Sequence, residues 1–100
     1  MAELKWTESA LRQLDEITDR IALDKPEAAR AVARRILALA DNLVRFGRLG
    51  RLIPEFPHPN FRQIWIAPCW IYYRREDAGI LVLHIRRAER PFHPEDLDID

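Results

Sequence analysis

The chain has 100 residues, 16 basic and 16 acidic side chains, and an apolar fraction of 48%, values that describe a single ordinary globular domain. Its apolar runs are far shorter than the roughly 20 residues needed to cross a bilayer, which excludes a membrane-spanning helix, and residues 1–5 do not resemble a signal peptide. Cys69 is the single cysteine, so an internal disulfide is excluded and a cytoplasmic location is expected.

The zero net charge hides a separation of charge along the chain. Residues 45–90 carry nine arginines and four acidic side chains, an excess of five positive charges. Residues 91–100 form an acidic C-terminal tail without a basic residue. Because arginine matches the geometry of phosphates and carboxylates, the cationic segment predicts recognition of an anionic or acidic partner. The acidic tail can also cover the basic residues within the same molecule.

In chain order, the first predicted elements are a short strand and an amphipathic helix. Residues 3–6 alternate in polarity and place Leu4 and Trp6 on one face of a strand. Thr7 is a suitable N-cap for the helix that follows. The apolar side chains of this helix recur at intervals of four and three residues, at Ala10, Leu14, Ile17 and Ile21.

A second amphipathic helix follows after a very short link. Pro26 disfavours helical geometry at the preceding residue, so the first helix is expected to end near Leu23 or Asp24. Pro26 then fits the first turn of the second helix, and Phe46-Gly47 marks its expected end. Its apolar stripe repeats the same spacing, at Val32, Ile36, Leu39 and Leu43. The short link predicts an antiparallel helical hairpin.

The second half of the chain predicts a loop and three strands. Residues 45–60 are expected to form a loop, because three prolines fall within six residues and remove backbone donors. Strands are predicted at residues 61–66, 70–75 and 80–85, joined by turns. The predicted order is β-α-α-β-β-β, an α+β fold with an antiparallel helical hairpin packed on a small, mainly antiparallel sheet.

The last predicted strand carries the main candidate surface. It is almost continuously apolar, which predicts burial on both faces, and it runs into Arg86, Arg87 and Arg90. These arginines either form a rigid platform for an anionic partner or solvate the strand end and pair with Glu89 and the tail. Regular alternation places Leu81, Leu83 and Ile85 on the helix side with Arg87, and Val82 and His84 on the open face with Arg86.

The sequence contains no recognisable catalytic or metal-binding arrangement. His58, His84, His93 and Cys69 lack the paired spacing of metal ligands, so no metal or other cofactor is expected. Cys69 is predicted to be a buried, inert thiol and His84 a satisfied core histidine. The strand aromatics could stack on bases, but they are expected first to be core and sheet residues: Phe61, Trp65, Trp70 and Tyr72.

Six short motifs span nearly the whole chain in a fixed order: Trp6-Thr7-x-x-Ala10, Pro26-x-Ala28-Ala29, Gly50-Arg51-x-x-Pro54-Glu55, Phe61-Arg62, Ile71-x-Tyr73-Arg74 and Ile85-Arg86-Arg87-x-x-Arg90. This ordered set resembles the ParE/RelE superfamily, the toxins of type II toxin–antitoxin pairs. The third and fifth motifs resemble the ParE branch more than the messenger-cleaving RelE branch.

The resemblance implies a toxin that inhibits DNA gyrase without catalysis of its own. It also implies a small ParD-like antitoxin that wraps around the toxin in a hetero-oligomer, as in plasmid stabilisation systems. The expected target-binding residues are the arginines of the cationic edge: Arg62, Arg74, Arg86, Arg87 and Arg90. The chain departs from the ParE pattern at Cys69 and Trp70, where tyrosine and arginine are usual, and at Arg87, where histidine is usual.

Two alternatives remain open. One is a RelE-like, ribosome-dependent mRNA endoribonuclease, which needs a proton acceptor and a proton donor beside its arginines. Only His93 lies near the C-terminus, where RelE-like nucleases commonly carry such a group, and Tyr72, Tyr73 or His84 would have to supply the rest. The other is a homologue that has lost toxicity and still binds an antitoxin.

Overall fold

A computed structural model of the protein describes residues 3–45 and 50–97. The elements within these ranges are β1 (Glu3–Trp6), α1 (Glu8–Asp24), α2 (Pro26–Arg45), β2 (Arg51–Leu52), β3 (Phe61–Ile66), β4 (Cys69–Glu76), β5 (Gly79–Arg87) and a 3-10 turn (Pro94–Leu97). The two helices pack on one face of a mixed sheet whose strand order is β1-β5-β4-β3-β2, with β1 parallel to β5 and the other neighbours antiparallel. This architecture confirms the predicted α+β fold.

The helix boundaries follow the predicted signals. The Thr7 hydroxyl accepts a hydrogen bond from the Ala10 backbone N–H at 3.0 Å, so Thr7 is the N-cap of α1. α1 ends at Asp24 and α2 begins at Pro26, which confirms both predictions. The predicted end of α2 at Phe46-Gly47 lies outside the described residues. Neither described helix is long and apolar enough to cross a membrane.

The main core lies between the helical hairpin and the sheet. Ala10 of α1, Val32 and Ile36 of α2, and Ile71 of β4 are buried together there. The predicted apolar stripes of the two helices supply the cover, because half-buried Leu14, Ile17 and Ile21 pack against this cluster. Leu4 and Trp6 of β1 also pack against it, as their alternation predicted.

A β-bulge in β5 changes the predicted side-chain alternation. Tyr72 pairs with His84 and Tyr73 pairs with Val82, so Leu83 is an extra residue in β5. The prediction is therefore wrong for the residues up to the bulge: Val82 faces the helices, and Leu81 and Leu83 lie in a second core on the opposite face. After the bulge, the strand returns to the expected phase. Ile85 faces the helices.

The predicted loop at residues 45–60 contains a short strand. β2 consists of Arg51–Leu52 and pairs with β3 at Arg62 and Gln63, so the loop prediction is wrong there. A strand of two residues is too short to leave an alternation pattern in the sequence. β2 is an edge strand of the sheet, which agrees with the absence of a central strand beside the three prolines. Ile53, next in the chain, is fully buried in the second core.

The C-terminal segment covers part of the open face of the sheet. The Phe92 ring stacks on Tyr72 with a centroid distance of 4.4 Å and an interplanar angle of 7°. Leu97 is only 1% exposed and belongs to the same core as Tyr72 and Leu83. The described part of the acidic tail is therefore packed against the sheet. Its single buried leucine gives no periodic signal in the sequence.

Candidate functional site

The candidate site begins where β5 loses its strand neighbour. β1 pairs with β5 only along Gly79 to Val82, because the chain turns into α1 directly after Trp6. Beyond Val82, side chains of α1 and its cap bond to the edge of β5. The Thr7 hydroxyl donates to the Leu83 carbonyl at 3.2 Å, and the Gln13 side-chain oxygen accepts from the Ile85 N–H at 2.8 Å. Half of this edge is thus closed by side chains instead of a strand.

A groove of about 880 Å³ lies between α1 and this edge of β5. Its helical wall is one face of α1, because each of its residues stands three or four positions from another one. These residues include Gln13, Glu16, Ile17, Arg20 and Leu23. The opposite wall is the end of β5 and the turn that follows, from His84 to Pro91. Leu23 is 89% exposed. The groove therefore combines apolar side chains with charges of both signs, a composition that suits a polypeptide.

The five predicted target-binding arginines fall into two groups along the sheet. Arg86 pairs with Trp70 at the start of β4, and Arg87 and Arg90 follow it beside the groove. Arg74 lies four residues farther along β4 and pairs with Phe61, the neighbour of Arg62. Four residues of strand span about 13 Å. The structure brings Arg86, Arg87 and Arg90 together and places Arg62 and Arg74 toward the other end of the sheet.

Arg86 and Arg87 make intramolecular contacts at the end of β5. The Arg86 Nε donates to the Tyr72 hydroxyl at 3.0 Å, and its Nη1 donates to the carbonyls of Ala88 and Arg90. The Arg87 Nε lies 2.7 Å from a carboxylate oxygen of Glu89, whose side chain is mostly exposed. Arg86 thus holds the turn after β5. Arg87 is close enough to Glu89 for an ion pair, but the angle does not make a hydrogen bond, and its Nε has no hydrogen-bond partner among the described residues. Arg90 is exposed.

The second arginine group is also held by local contacts. The Arg74 guanidinium binds Glu76 through two nitrogens, at 2.7 and 3.1 Å, and lies 5.9 Å from the centre of the Phe61 ring. Arg62 donates to the carbonyl of Pro59 at 3.3 Å and to that of Gly50 at 3.5 Å. These contacts order the segment that leads into β3.

The Gly-Arg-x-x-Pro-Glu motif has a structural explanation at its first residue. The Gly50 N–H donates to the buried Tyr73 hydroxyl at 2.9 Å. A Cβ at this position would stand 2.7 Å from that hydroxyl and 2.8 Å from the Gln63 carbonyl oxygen, so a larger residue does not fit. Burial raises the pKa of Tyr73, and the Gly50 hydrogen bond opposes that rise. The third and fifth motifs are therefore joined inside the fold.

The candidate proton-transfer groups lie mostly under the C-terminal segment. Tyr72 is 0% exposed and covered by Phe92, and burial raises the pKa of its phenol. His84 lies 5.7 Å from Tyr72 between ring centres, and burial lowers its pKa. Its Nδ1 is buried without a hydrogen-bond partner among the described residues, so the prediction of a satisfied histidine is wrong. Only His93 of these groups is exposed.

Cys69 and the tryptophans complete the set of predicted candidates. Cys69 is fully buried, as predicted, and burial raises the pKa of its thiol. Trp65 is 46% exposed and lies 5.3 Å from Trp70 between ring centres, and Arg51 stands 5.0 Å over the Trp70 ring. Trp65 is therefore a sheet residue of β3, as expected, but lies on the surface and not in the core. Among the described residues, no group of three His, Cys, Asp or Glu side chains could hold a metal ion.

Sequence reasoning missed Gln13 as a residue of the site. It is one of several polar residues on α1, and nothing in the helical pattern distinguishes it from its neighbours. Its contact with Ile85 depends on where β1 ends beside β5. Only the tertiary arrangement reveals it.

Comparisons with known proteins give a consistent result. The chain matches the family described as ParE toxin of type II toxin-antitoxin system, parDE, over residues 4–92. Toxin RelE2 of Caulobacter vibrioides is 32% identical over 91 residues, which cover 90% of this chain and 99% of that protein. Putative toxin Y4kP of Sinorhizobium fredii is 44% identical over 52 residues, 49% of this chain and 54% of that protein. A solved structure described as the chromosomal ParDE TA system from P. aeruginosa matches with a TM-score of 0.71 and 29% identity, covering 89% of this chain and 98% of that chain.

Proposed function

This chain belongs to the ParE toxin family of type II toxin–antitoxin systems, and we propose that it inhibits DNA gyrase by binding and is neutralised by a cognate ParD-like antitoxin. The observation that carries the proposal is the groove between α1 and the half of the β5 edge that has no strand neighbour among the described residues, with Arg86, Arg87 and Arg90 on its rim. One surface can then serve both partners.

The groove has the properties of a polypeptide-binding site. Ile17, Leu23 and Pro91 supply apolar surface, and Leu23 in particular is almost fully exposed in the isolated chain. An exposed leucine that lines a groove can pack against the apolar side chains of a partner segment. The similarity to a solved ParDE system, in which toxin and antitoxin are named together, supports an antitoxin as that partner.

Neutralisation follows from the position of the arginines. Arg86, Arg87 and Arg90 line the same groove, so a segment bound there covers them. Arg90 is the exposed member of the three and is the best placed to meet an acidic surface of the target. Arg62 and Arg74 belong to the proposed target-binding set as a second contact region. Binding of antitoxin and target is then mutually exclusive.

A binding mode of action suits the buried state of the candidate catalytic groups. In-line attack by an RNA 2′-hydroxyl requires a base within hydrogen-bond reach of the substrate. The Tyr72 phenol is fully buried beneath Phe92, and its pKa is raised by burial, so it stays protonated and covered at neutral pH. The arrangement therefore favours recognition over acid–base chemistry.

A RelE-like messenger nuclease is the second candidate. It is favoured by the 32% identity to Toxin RelE2 over nearly the whole of both chains. In that case the exposed His93 is the group available to move a proton. An antitoxin-binding homologue without toxicity is the third candidate.

The deciding experiment compares two reactions with the same purified toxin. We expect inhibition of gyrase supercoiling at toxin concentrations that leave cell-free translation and its messenger intact. The control adds the protein encoded by the adjacent gene, a short protein with a DNA-binding start and a helical end in the expected case. That protein should restore supercoiling and raise the melting temperature of the toxin, because a ligand of the native state stabilises it. Cleaved messenger with unaffected supercoiling would instead establish the nuclease.

A further inference from the structure

A second surface cavity lies at the corner of the sheet where β2, β3 and the turn after β5 meet. Its volume is about 610 Å³. β2 pairs with β3 only at Arg62 and Gln63, so the residues of β3 that follow have no strand neighbour on that side among the described residues. Ile64 and Ile66 pack against the core under the helices, and Trp65 between them therefore faces the opposite side of the sheet. Trp65 is left 46% exposed beside the cavity.

The Trp65 ring is supported by two neighbours. Its centre lies 5.3 Å from that of Trp70, and Trp70 packs against the second core. The Arg51 guanidinium stands 5.0 Å over the Trp70 ring. Tryptophan and arginine often carry most of the binding energy of a protein interface, and an aromatic ring that is held in place before binding loses little conformational entropy. Arg51, Trp65 and Trp70, here called the Trp65 patch, therefore have the composition of a contact between proteins.

The charge of this patch favours a protein partner over a nucleic acid. Aromatic rings beside an arginine can also stack on bases, but nucleic-acid surfaces depend on several positive charges that neutralise phosphates. The chain has zero net charge, and of the described residues that line the cavity, Arg51 alone is charged. One cation beside an apolar ring suits an apolar recess with a carboxylate at its margin.

The Trp65 patch adjoins the arginine rim but lies apart from the groove beside α1. Trp70 pairs with Arg86 across β4 and β5, which places the patch next to the rim. Ala88 lines the cavity, whereas Arg87 lines the groove, so the chain that leaves β5 passes between the two. A segment bound in the groove would cover the rim and leave Trp65 uncovered.

We propose that the Trp65 patch is a contact for the target protein, used together with the arginine rim, and that the antitoxin does not use it. This inference rests on the proposed function, in which the target is DNA gyrase and the antitoxin occupies the groove. Target and antitoxin still exclude each other, because both need the rim. The two binding activities should nevertheless be separable by substitution, since only the target reaches Trp65.

The first test replaces Trp65 by threonine, which removes the ring and keeps a residue suited to a strand. Trp65→Thr should bind DNA-free gyrase about tenfold more weakly than the parent toxin, as measured by biolayer interferometry. Its affinity for the purified adjacent-gene product should stay within about twofold of the parent, as measured by isothermal titration calorimetry. The matched control is Leu37→Ala on α2, where Leu37 is 55% exposed. This control should bind gyrase within about twofold of the parent.

Substitutions of Arg51 test the charge of the partner and decide the case even where Trp65→Thr fails to fold. Arg51→Gln should weaken gyrase binding about threefold, and Arg51→Glu should weaken it about tenfold, because a reversed charge repels the carboxylate that the native arginine attracts. Arg30→Gln and Arg30→Glu on α2 control for the change in net charge and should bind like the parent. An Arg51→Glu variant that binds as tightly as Arg51→Gln would contradict an acidic partner surface.

The outcomes separate this contact from the proposed function. A folded Trp65→Thr variant that binds gyrase as tightly as the parent would refute the contact and leave gyrase inhibition standing. Equal weakening of gyrase and antitoxin binding would also refute it, because Trp65 would then act on the whole fold. Trp65-dependent binding of a labelled single-stranded oligonucleotide, without binding to DNA-free gyrase, would assign the patch to nucleic acid instead. If the unmodified toxin neither binds nor inhibits gyrase, the proposed function fails, and this contact fails with it.

Discussion

Replacing Arg86 should lower the free energy of unfolding of the isolated toxin. The Arg86 Nε donates to the hydroxyl of Tyr72, a residue with 0% exposure. Arg86→Ala leaves that hydroxyl buried without this donor, which costs about 1–3 kcal/mol. The lost bonds to the carbonyls of Ala88 and Arg90 add less, because both residues are exposed. For a domain of this size, a loss of about 2 kcal/mol lowers the melting temperature by roughly 8–16 °C.

A double-mutant cycle isolates the contact between Arg86 and Tyr72. Tyr72→Phe removes the hydroxyl and leaves the half-buried guanidinium free to bond to water, at a cost of about 0.5–1.5 kcal/mol. In the double variant, no buried hydroxyl remains to be satisfied. The combined loss in unfolding free energy should therefore fall short of the sum of the two single losses by about 1 kcal/mol.

Urea denaturation followed by circular dichroism measures each variant, and the midpoints are compared at equal slope. Arg30→Ala, an exposed arginine on α2, controls for the loss of a positive charge and should stay within about 0.5 kcal/mol of the parent. If Arg86→Ala matches this control in stability, or if the single losses simply add, the assigned structural role of Arg86 is incorrect.

Three further predictions follow from the described contacts. Arg90→Glu should abolish growth inhibition in cells without antitoxin while its circular dichroism spectrum stays unchanged. The control Arg30→Glu should still inhibit growth. A folded Arg90→Glu variant that inhibits growth fully would exclude this residue from the target surface. Burial lowers the pKa of His84, so below about pH 6.5 the unfolded chain binds a proton at this histidine more readily than the folded protein does. The free energy of unfolding should therefore be unaffected by His84 above that pH and should decline as the pH falls toward the pKa of the folded state. The urea midpoint of His84→Phe should depend less on pH between pH 7 and 5 than that of the parent, whereas His93→Gln should keep the dependence of the parent. Gly50→Ala should lower the free energy of unfolding by about 1–3 kcal/mol, because the added Cβ would meet the Tyr73 hydroxyl and the Gln63 carbonyl oxygen. A variant as stable as the parent would contradict the assigned close packing.

Local signals predicted the helices and the hairpin strands well because the causes of those elements are local. The Thr7 cap bonds to a residue three positions away, and Pro26 acts on the residue before it. The structure ends α1 at Asp24 and begins α2 at Pro26 for these reasons. Such boundaries need no knowledge of the rest of the chain.

Most of the incorrect expectations concern pairing or contacts between distant parts of the chain. The bulge at Leu83 reverses the face of the strand residues before it, and a regular alternation cannot reveal where an extra residue is inserted. Leu97 is buried because Ile53 and Leu83 provide a surface for it. Neither partner is adjacent to it in sequence, so the acidic surroundings of Leu97 dominated the interpretation of the tail.

The candidate site belongs to the same class of distant effects. The sequence identified Arg86, Arg87 and Arg90 by their position at the end of a predicted strand and by the last of the six motifs, and the structure places them on one rim. It gave no reason to separate Arg62 and Arg74 from them, because the distance along β4 depends on strand pairing. Gln13 had no distinguishing signal at all.

In the proposed complex, the mixed charge of the groove would favour a cognate antitoxin over other acidic chains. Four acidic residues line it together with four arginines: Glu16, Asp19, Glu89 and Asp96 with Arg20, Arg86, Arg87 and Arg90. A purely cationic groove would attract any polyanion, whereas a groove of mixed sign penalises a segment whose charges are out of register. Discrimination between antitoxins of related systems should therefore depend on the spacing of apolar and acidic residues in the bound segment more than on its total charge.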